Sequence, residues 1–253
     1  MKNTEYHEAF ISEDSHWWFI TRDRLALKLI AQFSQIRSSG IDLFDIGCGT
    51  GGFLSRCSNH DIVGRCSGCE PNDTGFNYSL LRGLNVFQGG FEDLHRTQNT
   101  FDVVTCLDVL YHQNVEVDLA LQSIRPLLRD DGLLVINVPA IPSLAGNHDI
   151  QVEGARRFLK LQLRQLLQNN QYKIENLQYW NTFLAPVIWL VRFMQRTFPT
   201  LSRKHMTSEV KLPSKFLNQC LLNLLCIEDQ VGSNINFPFG CSLLAAARKV
   251  SDE

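Results

Sequence analysis

The fold is predicted from an apolar run and the glycine-rich turn that follows it, Leu43-Phe44-Asp45-Ile46-Gly47-Cys48-Gly49-Thr50-Gly51-Gly52. The apolar run Ile41–Ile46 predicts a short buried strand, and Phe53-Leu54 predicts the start of a helix. The glycines between them allow a tight turn in which backbone N–H groups approach a ligand closely. The acid Asp45 disfavours a phosphate and favours a cation, or a ligand with hydroxyl and ammonium groups. The form D-x-G-x-G-x-G therefore differs from the G-x-G-x-x-G of dinucleotide-binding folds.

This run, D-I-G-C-G-T-G-G, resembles motif I of the class I S-adenosylmethionine (SAM)-dependent methyltransferases. The resemblance covers residues 13–249, apart from the detail of 182–236. It implies SAM as cofactor and S-adenosylhomocysteine as product. It also implies an α/β fold, a Rossmann-like doubly wound sheet of seven strands with the last strand antiparallel. The alternative is a tight turn without a ligand. The residues that the motif assigns to the cofactor are Asp45, Gly47, Cys48, Gly49 and Gly51.

Length and composition predict a single domain, 1–253, with a substantial core, since the chain is 44% hydrophobic and 20% charged. The predicted parts are an N-terminal helical cap, a SAM-binding core, a helical lid or insertion, and a last strand with its tail. Their bounds are 1–38, 39–181, 182–236 and 237–253. A net charge of −2 without a long basic stretch argues against a nucleic-acid substrate. The first residues lack an apolar segment, so we expect no secretory signal and a cytoplasmic protein.

The cysteine pattern predicts free thiols rather than a metal site or a disulfide framework. Eight cysteines occur, but only Cys66 and Cys69 have C-x-x-C spacing. Both fall in a predicted strand, where their side chains point to opposite faces of the sheet. No second pair follows at zinc-finger distance, so no metal is expected.

Residues 13–33 predict an N-terminal helical extension with capping groups at Glu13-Asp14-Ser15. The segment H-W-W-F-x-x-R, from His16 to Arg22, resembles a stretch in a subgroup of small-molecule methyltransferases whose extension covers the cofactor pocket. That resemblance makes Phe19 and Arg22 candidates for contacting SAM, Arg22 through the methionyl carboxylate. The alternative is a helix that only packs on the sheet.

Acids follow the next two predicted strands. The second strand, 62–69, ends at Glu70-Pro71, where an acid can accept hydrogen bonds from both ribose hydroxyls. The alternative is an acid that caps the helix beginning near Asn72. The third strand, 85–88, is followed by Phe91, Glu92 and Asp93. In the family, an acid with an apolar neighbour at this position holds the adenine; a solvated loop is the alternative.

The fourth predicted strand, Phe101–Leu107, leads to the place where the methyl group would be transferred. Leu107, Asp108 and His112 lie at its carboxyl end, where ligands gather in open parallel sheets. His112 is a candidate general base because its ordinary pKa lies near 6.5, and Tyr111 could orient an acceptor instead. A structural role for His112 is the alternative. Motifs that the family uses on DNA bases, protein glutamine or cytosine C5 are missing here. This favours a small acceptor, methylated at oxygen or at an amine that needs no such motif.

The second half predicts a helix over 115–128, a fifth strand over 133–139 and a sixth over 172–181. His148 and Asp149 are a candidate base or substrate-binding pair, with an ordinary loop histidine as the alternative. Related chains carry a second histidine where this chain has Gly154. The triplet 156–158, Arg-Arg-Phe, is predicted to open a helix that ends near residue 169.

The insertion 182–236 predicts two amphipathic helices, one over 183–191 and one over 214–227. We interpret them as a substrate lid. The alternatives are a dimer interface or extra core, and shallow membrane contact by an enzyme of lipid-linked substrates. The protein would be a monomer or a homodimer.

The sequence therefore predicts a SAM-dependent methyltransferase that acts on a small molecule, preferably at oxygen, in natural-product or glycan biosynthesis. Two alternatives remain open. One is a catalytically silent SAM-binding partner subunit, and the other is a methyltransferase of a lipid-linked or macromolecular acceptor.

Overall fold

Seven strands form one mixed sheet in the computed structural model, which describes residues 3–145, 154, 156–197, 211–232 and 235–250. The strands are β1 (Ile41–Ile46), β2 (Val63–Glu70), β3 (Val86–Gln88), β4 (Phe101–Leu107), β5 (Leu128–Pro139), β6 (Tyr172–Trp180) and β7 (Ser242–Lys249). Their order is β3-β2-β1-β4-β5-β7-β6. β7 runs antiparallel to both its neighbours, and the other pairs are parallel. This confirms the predicted doubly wound sheet and its antiparallel last strand.

Helices cover both faces of the sheet. They are α1 (Asn3–Ser12), α2 (Trp17–Phe33), α3 (Gly52–Ser58), α4 (Asp73–Leu81), α5 (Val117–Ile124), α6 (Lys160–Asn169), α7 (Ala185–Thr197) and α8 (Lys215–Gly232). Short 3-10 segments occupy Phe91–Arg96, Arg125–Leu127 and Pro142–Leu144.

Two hydrophobic cores lie on opposite faces because strand residues alternate in direction. On β1, Phe44 belongs to the core packed under α5 and α6, and Leu43 to the core packed under α2 and α3. Cys69 and Cys66 of β2 divide in the same way, as predicted, and the eight cysteines are free thiols.

The N-terminal extension differs from the prediction. Residues 3–12 form a separate helix, α1, and α2 begins only at Trp17. His16 caps α2 by accepting a hydrogen bond from the Trp18 N–H at 3.2 Å. The acid expected to cap it, Glu13, is instead buried against Thr50 and Arg82. Its tertiary partners override the local capping preference.

The boundary between α5 and β5 was also predicted wrongly. α5 ends at Ile124, and β5 begins at Leu128 rather than at Leu133. Pro126 explains the early end, since it lacks the N–H that a continuing helix needs.

The prediction that Arg156–Phe158 opens a helix was wrong, because the backbone of this segment is hydrogen-bonded to β5 and the loop after it. The Phe158 N–H donates to the Pro139 carbonyl at 2.9 Å, and the Ile141 N–H donates to the Phe158 carbonyl at 3.1 Å. α6 therefore starts at Lys160.

Both insertion helices exist, but they occupy different places. α8 packs against α2: Leu225 lies in the core under that helix, and Lys28 pairs with Asp229 at 2.7 Å. Residues of α7 line a cavity at the carboxyl edge of the sheet, whereas no described residue of α8 does so. The interpretation of both helices as a lid is therefore wrong for α8, which extends the core.

Candidate active site

A cavity of about 1060 Å³ opens at the carboxyl ends of the parallel strands. Segments that follow β1, β2, β3, β4 and β5 all contribute to its wall, as an open α/β sheet requires of a ligand site. α1, α2 and the turn between them close a second side, and α7 closes a third.

The glycine turn after β1 is built from left-handed backbone. Gly47, Gly49 and Gly51 have φ of 68°, 59° and 84°, a region that residues with a Cβ rarely adopt. A Cβ at Gly47 would lie 2.5 Å from Val109, whereas one at Gly49 would meet nothing within 4 Å. Gly47, Cys48 and Gly49 line the cavity, so a ligand can approach this backbone closely. Gly51 does not line it; it sits at the start of α3.

Asp45 is buried at the end of β1 and faces the cavity. Its Oδ1 accepts a hydrogen bond from the Thr105 hydroxyl at 2.6 Å. Burial raises the pKa of Asp45 to about 7, and the Thr105 hydrogen bond opposes that rise. A cation beside this carboxylate would offset the burial and favour its ionised form.

Glu70 is also buried, and its two oxygens are held in place by three donors. Oε1 accepts from the Tyr6 hydroxyl at 3.0 Å and from the Asn72 N–H at 2.9 Å. Oε2 accepts from the Gly49 N–H at 2.9 Å, which ties β2 to the glycine turn. The cap of α4 is Asn72 itself, so Glu70 does not have the side-chain capping role that was its alternative. Glu70 and Pro71 both line the cavity.

The three candidates for the adenine site separate in the structure. Phe91 and Glu92 line the cavity. Asp93 does not; its carboxylate accepts a hydrogen bond from the Gly90 N–H at 3.1 Å and caps the short 3-10 segment. This assigns Asp93 a local structural contact and leaves Glu92 as the acid at the cavity.

Asp108 stands at the end of β4 in a left-handed conformation, with a φ of 61°. Its Oδ2 accepts from Arg22 Nη1 at 3.1 Å, and its Oδ1 accepts from the Asn137 amide at 2.8 Å. The Asn137 oxygen in turn accepts from the Trp180 indole at 2.8 Å. Burial raises the pKa of Asp108, and Arg22 opposes this. These contacts fix an otherwise unfavourable backbone conformation.

Arg22 lies between two aromatic rings and two acids. Its guanidinium is 5.2 Å from the Trp18 ring and 5.3 Å from the Phe19 ring. It pairs with Asp23 at 2.8 Å and with Asp108 at 3.1 Å. Burial opposes its charge, but these two carboxylates prevail and raise the pKa of Arg22. Phe19 and Arg22 line the cavity, as do Leu107 and Asp108.

Sequence reasoning missed the wall residues contributed by α1 and the following turn, among them Tyr6, Glu13 and His16. Two helical glycines make room for them. A Cβ at Gly75 would lie 2.6 Å from the Tyr6 ring, and one at Gly52 would lie 2.3 Å from the Glu13 carboxyl carbon. Glycine is less favourable than alanine inside a helix by about 1 kcal/mol. Gly52 and Gly75 were therefore the sequence signal that another side chain packs closely on α3 and α4. Burial also lowers the pKa of His16 to about 4, which keeps it neutral.

His112 and Tyr111 follow β4 and line the same cavity. Their rings stack with centroids 4.4 Å apart, and the His112 backbone pairs with Gly154. Gly154, where we expected a second histidine, therefore lies beside the candidate base. The other proposed pair, His148 and Asp149, lies outside the described residues.

The described part of the chain contains no group of three or more metal-ligating side chains poised for a metal ion. Within those same residues, no helix combines the length and apolarity needed to cross a bilayer.

The donor set of the cavity fits SAM. Buried carboxylates at Asp45 and Glu70 suit a cation and ribose hydroxyls, and the guanidinium of Arg22 suits a carboxylate. The volume, about 1060 Å³, slightly exceeds the upper end for a single small-ligand site and leaves space for a second molecule.

Comparison with known proteins agrees with this chemistry. A family model described as a methyltransferase domain matches residues 18–186. The ubiquinone biosynthesis O-methyltransferase of Colwellia psychrerythraea is 28% identical over an alignment of 170 residues, and the match covers 58% of this chain and 68% of that protein. A SAM-dependent methyltransferase of Thermotoga maritima, named a possible histamine N-methyltransferase, has a TM-score of 0.56 at 15% identity and covers 97% of this chain and 100% of its own. The cyclase SpnF has a TM-score of 0.57 at 19% identity, with coverage of 91% and 81%. Both structures share the fold, and the difference between their names indicates that the fold alone does not specify the reaction.

Proposed function

This chain belongs to the class I SAM-dependent methyltransferases, and we propose that it methylates an oxygen atom of a small-molecule acceptor in natural-product or glycan biosynthesis. The observation that carries the proposal is that one cavity is lined both by the candidate SAM-binding residues and by His112. Its walls on three sides suit a small acceptor better than a macromolecule.

The proposed roles at the cofactor end follow from charge and hydrogen-bonding capacity. Asp45 would stabilise positive charge on the cofactor, and Glu70 would accept hydrogen bonds from its ribose hydroxyls. Arg22 would pair with its carboxylate, and Glu92 with its adenine amine. When bound, SAM supplies a methyl group already activated by the sulfonium. The protein's main tasks are therefore alignment and exclusion of water.

His112 would remove the proton of the acceptor hydroxyl. An imidazole suits this task because its ordinary pKa lies close to neutral pH. The stacked Tyr111 ring holds the imidazole from one side. Oxygen is favoured over nitrogen as the methylated atom because a hydroxyl must lose a proton during transfer, and His112 can accept that proton.

Methyl transfer to matched acceptors tests the choice of atom. We would incubate the protein with SAM and pairs of phenols and anilines of the same shape, and measure the methylated products by mass spectrometry. We expect transfer to the phenols, and a loss of about 10²-fold in kcat for His112→Gln with SAM affinity unchanged. Transfer confined to the anilines would overturn the proposed O-methylation. SAM binding without transfer to any acceptor would favour the silent partner subunit.

α7 supports a second candidate, a lipid-linked or strongly apolar acceptor. This helix lines the cavity with Val187, Ile188 and Val191, and it exposes about half of the surface of other large apolar side chains. Those side chains are Trp189, Leu190, Phe193 and Met194. An apolar helix face beside the cavity would let an acceptor enter from a lipid surface. Flotation with phosphatidylglycerol vesicles tests this. Binding that Trp189→Glu abolishes would support it, and recovery of the protein only in the soluble fraction would contradict it.

A further inference from the structure

The described acids that line the cavity lie apart from two of its arginines along the edge of the sheet, although Arg22, which pairs with Asp108, lies among the acids. Asp45, Glu70 and Asp108 stand at the ends of β1, β2 and β4, which are neighbours in one half of the sheet. Arg157 and Arg192 line the same cavity, but on the side of β5 and β7. The acidic half suits the cationic donor. The other half, where an acceptor would lie, carries Arg157 and Arg192.

Arg157 is fixed at the end of β5. Its Nη1 donates to the Ala140 carbonyl at 3.2 Å, and the next residue, Phe158, pairs with Ala140 through the backbone. Three residues earlier in the chain, Gly154 pairs with His112. The guanidinium therefore belongs to a segment that reaches from the candidate base to the end of β5.

Arg192 reaches the same region from α7. It is only 7% exposed although arginine is rarely buried. One turn earlier, Ile188 packs against Leu144 and Cys241, and residues four apart share a helix face. The Ala140 N–H donates to the Cys241 carbonyl at 2.8 Å. This hydrogen bond joins the backbone that Arg157 contacts, at Ala140, to the cluster that Ile188 packs against, at Cys241. Both arginines thus lie around the Ala140–Cys241 contact.

Arginine at such a place recognises oxyanions. Its planar guanidinium matches a carboxylate or a phosphate with parallel N–H donors, and a partly desolvated wall strengthens the attraction. Val187 and Val191, which line the cavity from the same helix, offer an apolar surface for the body of the molecule.

We propose that Arg157 and Arg192 bind an anionic oxygen group of the acceptor, a carboxylate or a phosphate, and thereby select an acceptor that joins an apolar body to a negative charge. The inference rests on the proposed function, since it assigns the acceptor end of the same cavity. The anion would anchor the molecule on the side of β5 and leave its hydroxyl free to face His112.

Binding of matched probes to the protein saturated with S-adenosylhomocysteine tests the proposal. We would measure dissociation constants by calorimetry for 4-hydroxybenzoate against 4-hydroxybenzyl alcohol, and for 4-hydroxyphenyl phosphate against hydroquinone. Each pair keeps the phenol and changes the charge. We expect the anionic member of at least one pair to bind at least ten-fold more tightly. The pair with the larger ratio distinguishes a carboxylate from a phosphate acceptor.

Variants assign the preference to the two arginines. Arg192→Gln and Arg157→Gln should each reduce the ratio to near one without changing the affinity for S-adenosylhomocysteine. Arg192→Lys, which retains charge but loses the planar fork, should keep a smaller ratio. Arg164→Gln is the matched control, because Arg164 is exposed on α6 and does not line the cavity.

The outcomes separate this inference from the proposed function. Normal binding of S-adenosylhomocysteine with no advantage for either anion, including failure of every probe to bind, overturns the arginine site alone. An advantage that survives in both glutamine variants also overturns it. Failure to bind S-adenosylhomocysteine at all counts instead against the proposed function.

Discussion

Asp45 illustrates how a single side chain can couple ligand binding to pH. Burial raises its pKa to about 7, so about half of the ligand-free molecules would carry a protonated Asp45 at neutral pH. A cationic ligand favours the ionised carboxylate. The cost of burying this acid is thereby offset when the site is occupied.

We predict that SAM binding releases a proton from Asp45 between pH 5.5 and 7. Because the ionised form binds the cation better, affinity should rise through this window and level off above it. The window lies below the pKa of an α-amino group, about 7.7, which would otherwise contribute. Calorimetry in two buffers with different ionisation enthalpies measures the released proton. A heat that is independent of the buffer at pH 6 would contradict the prediction.

Asp45→Asn should stabilise the ligand-free protein at pH 8. The folded-state pKa is raised above the unfolded value of about 4. Between the two pKa values, about 4 and about 7, the native state therefore binds more protons than the unfolded state, and stability falls as pH rises through this range. The neutral amide keeps an oxygen for the Thr105 hydroxyl and removes this loss, by on the order of 1 kcal/mol or more at pH 8. Urea unfolding at pH 5 and pH 8 tests the sign, since the advantage of the variant should be larger at pH 8.

Asn137→Leu should weaken both the fold and the site. Asn137 joins Asp108 to Trp180 in a buried chain of hydrogen bonds, and leucine would leave both partners unsatisfied. Each unsatisfied buried group costs about 1–3 kcal/mol. We expect a lower free energy of unfolding and weaker SAM binding, since Asp108 and Arg22 would lose their fixed positions. Ser123→Leu on α5, outside the cavity, is a control whose SAM affinity should not change.

Among the elements, α1 (Asn3–Ser12) forms a strap along the cavity wall beside Glu70. Tyr6 reaches Glu70, and Phe10 stacks on Tyr78 with ring centroids 4.2 Å apart. Below it, Gly75 leaves room for the Tyr6 ring on the surface of α4. The position of the strap thus depends on the absence of a single methyl group.

Gly75→Ala should loosen the strap even though alanine is the better helix former by about 1 kcal/mol. The added Cβ would lie 2.6 Å from the Tyr6 ring, so α1 must shift away from Glu70. We expect faster hydrogen exchange over residues 3–12 and a several-fold weaker SAM affinity. Asn77→Ala, an exposed position on the same helix, is the control and should change neither quantity. Unchanged exchange in the Gly75 variant would contradict the role of the strap.

Features that depend on neighbouring residues could be predicted from the sequence, whereas features that depend on contacts between distant residues could not. The glycine turn, Glu70 at the end of β2 and Asp108 at the end of β4 are encoded locally by apolar runs and the residues that end them. A helical cap was predicted over 1–38, but α1 as a separate helix was not, because its decisive contact, Tyr6 with Glu70, joins residues 64 positions apart. Asn137 escaped for the same reason, since its amide acts only through side chains brought from β4 and β6.

Across the whole molecule, the strand order distributes charged side chains along the carboxyl edge of the sheet. Parallel strands bring Asp45, Glu70 and Asp108 to one half of the edge, and the segments beside β5 and β7 bring the arginines to the other. The insertion was predicted as one unit, but α8 packs on α2 while α7 lines the cavity. That division could not be predicted, because both helices present an apolar face and the choice of partner is tertiary.

The SAM site can be tested by calorimetry of SAM, S-adenosylhomocysteine and NAD binding to the wild-type protein and to Asp45→Asn. We expect one site per chain for SAM and its product and no binding of NAD. We also expect a loss of at least ten-fold in SAM affinity for the variant. NAD binding at the same site, or equal SAM affinity in both proteins, would contradict the assignment of a SAM site around Asp45.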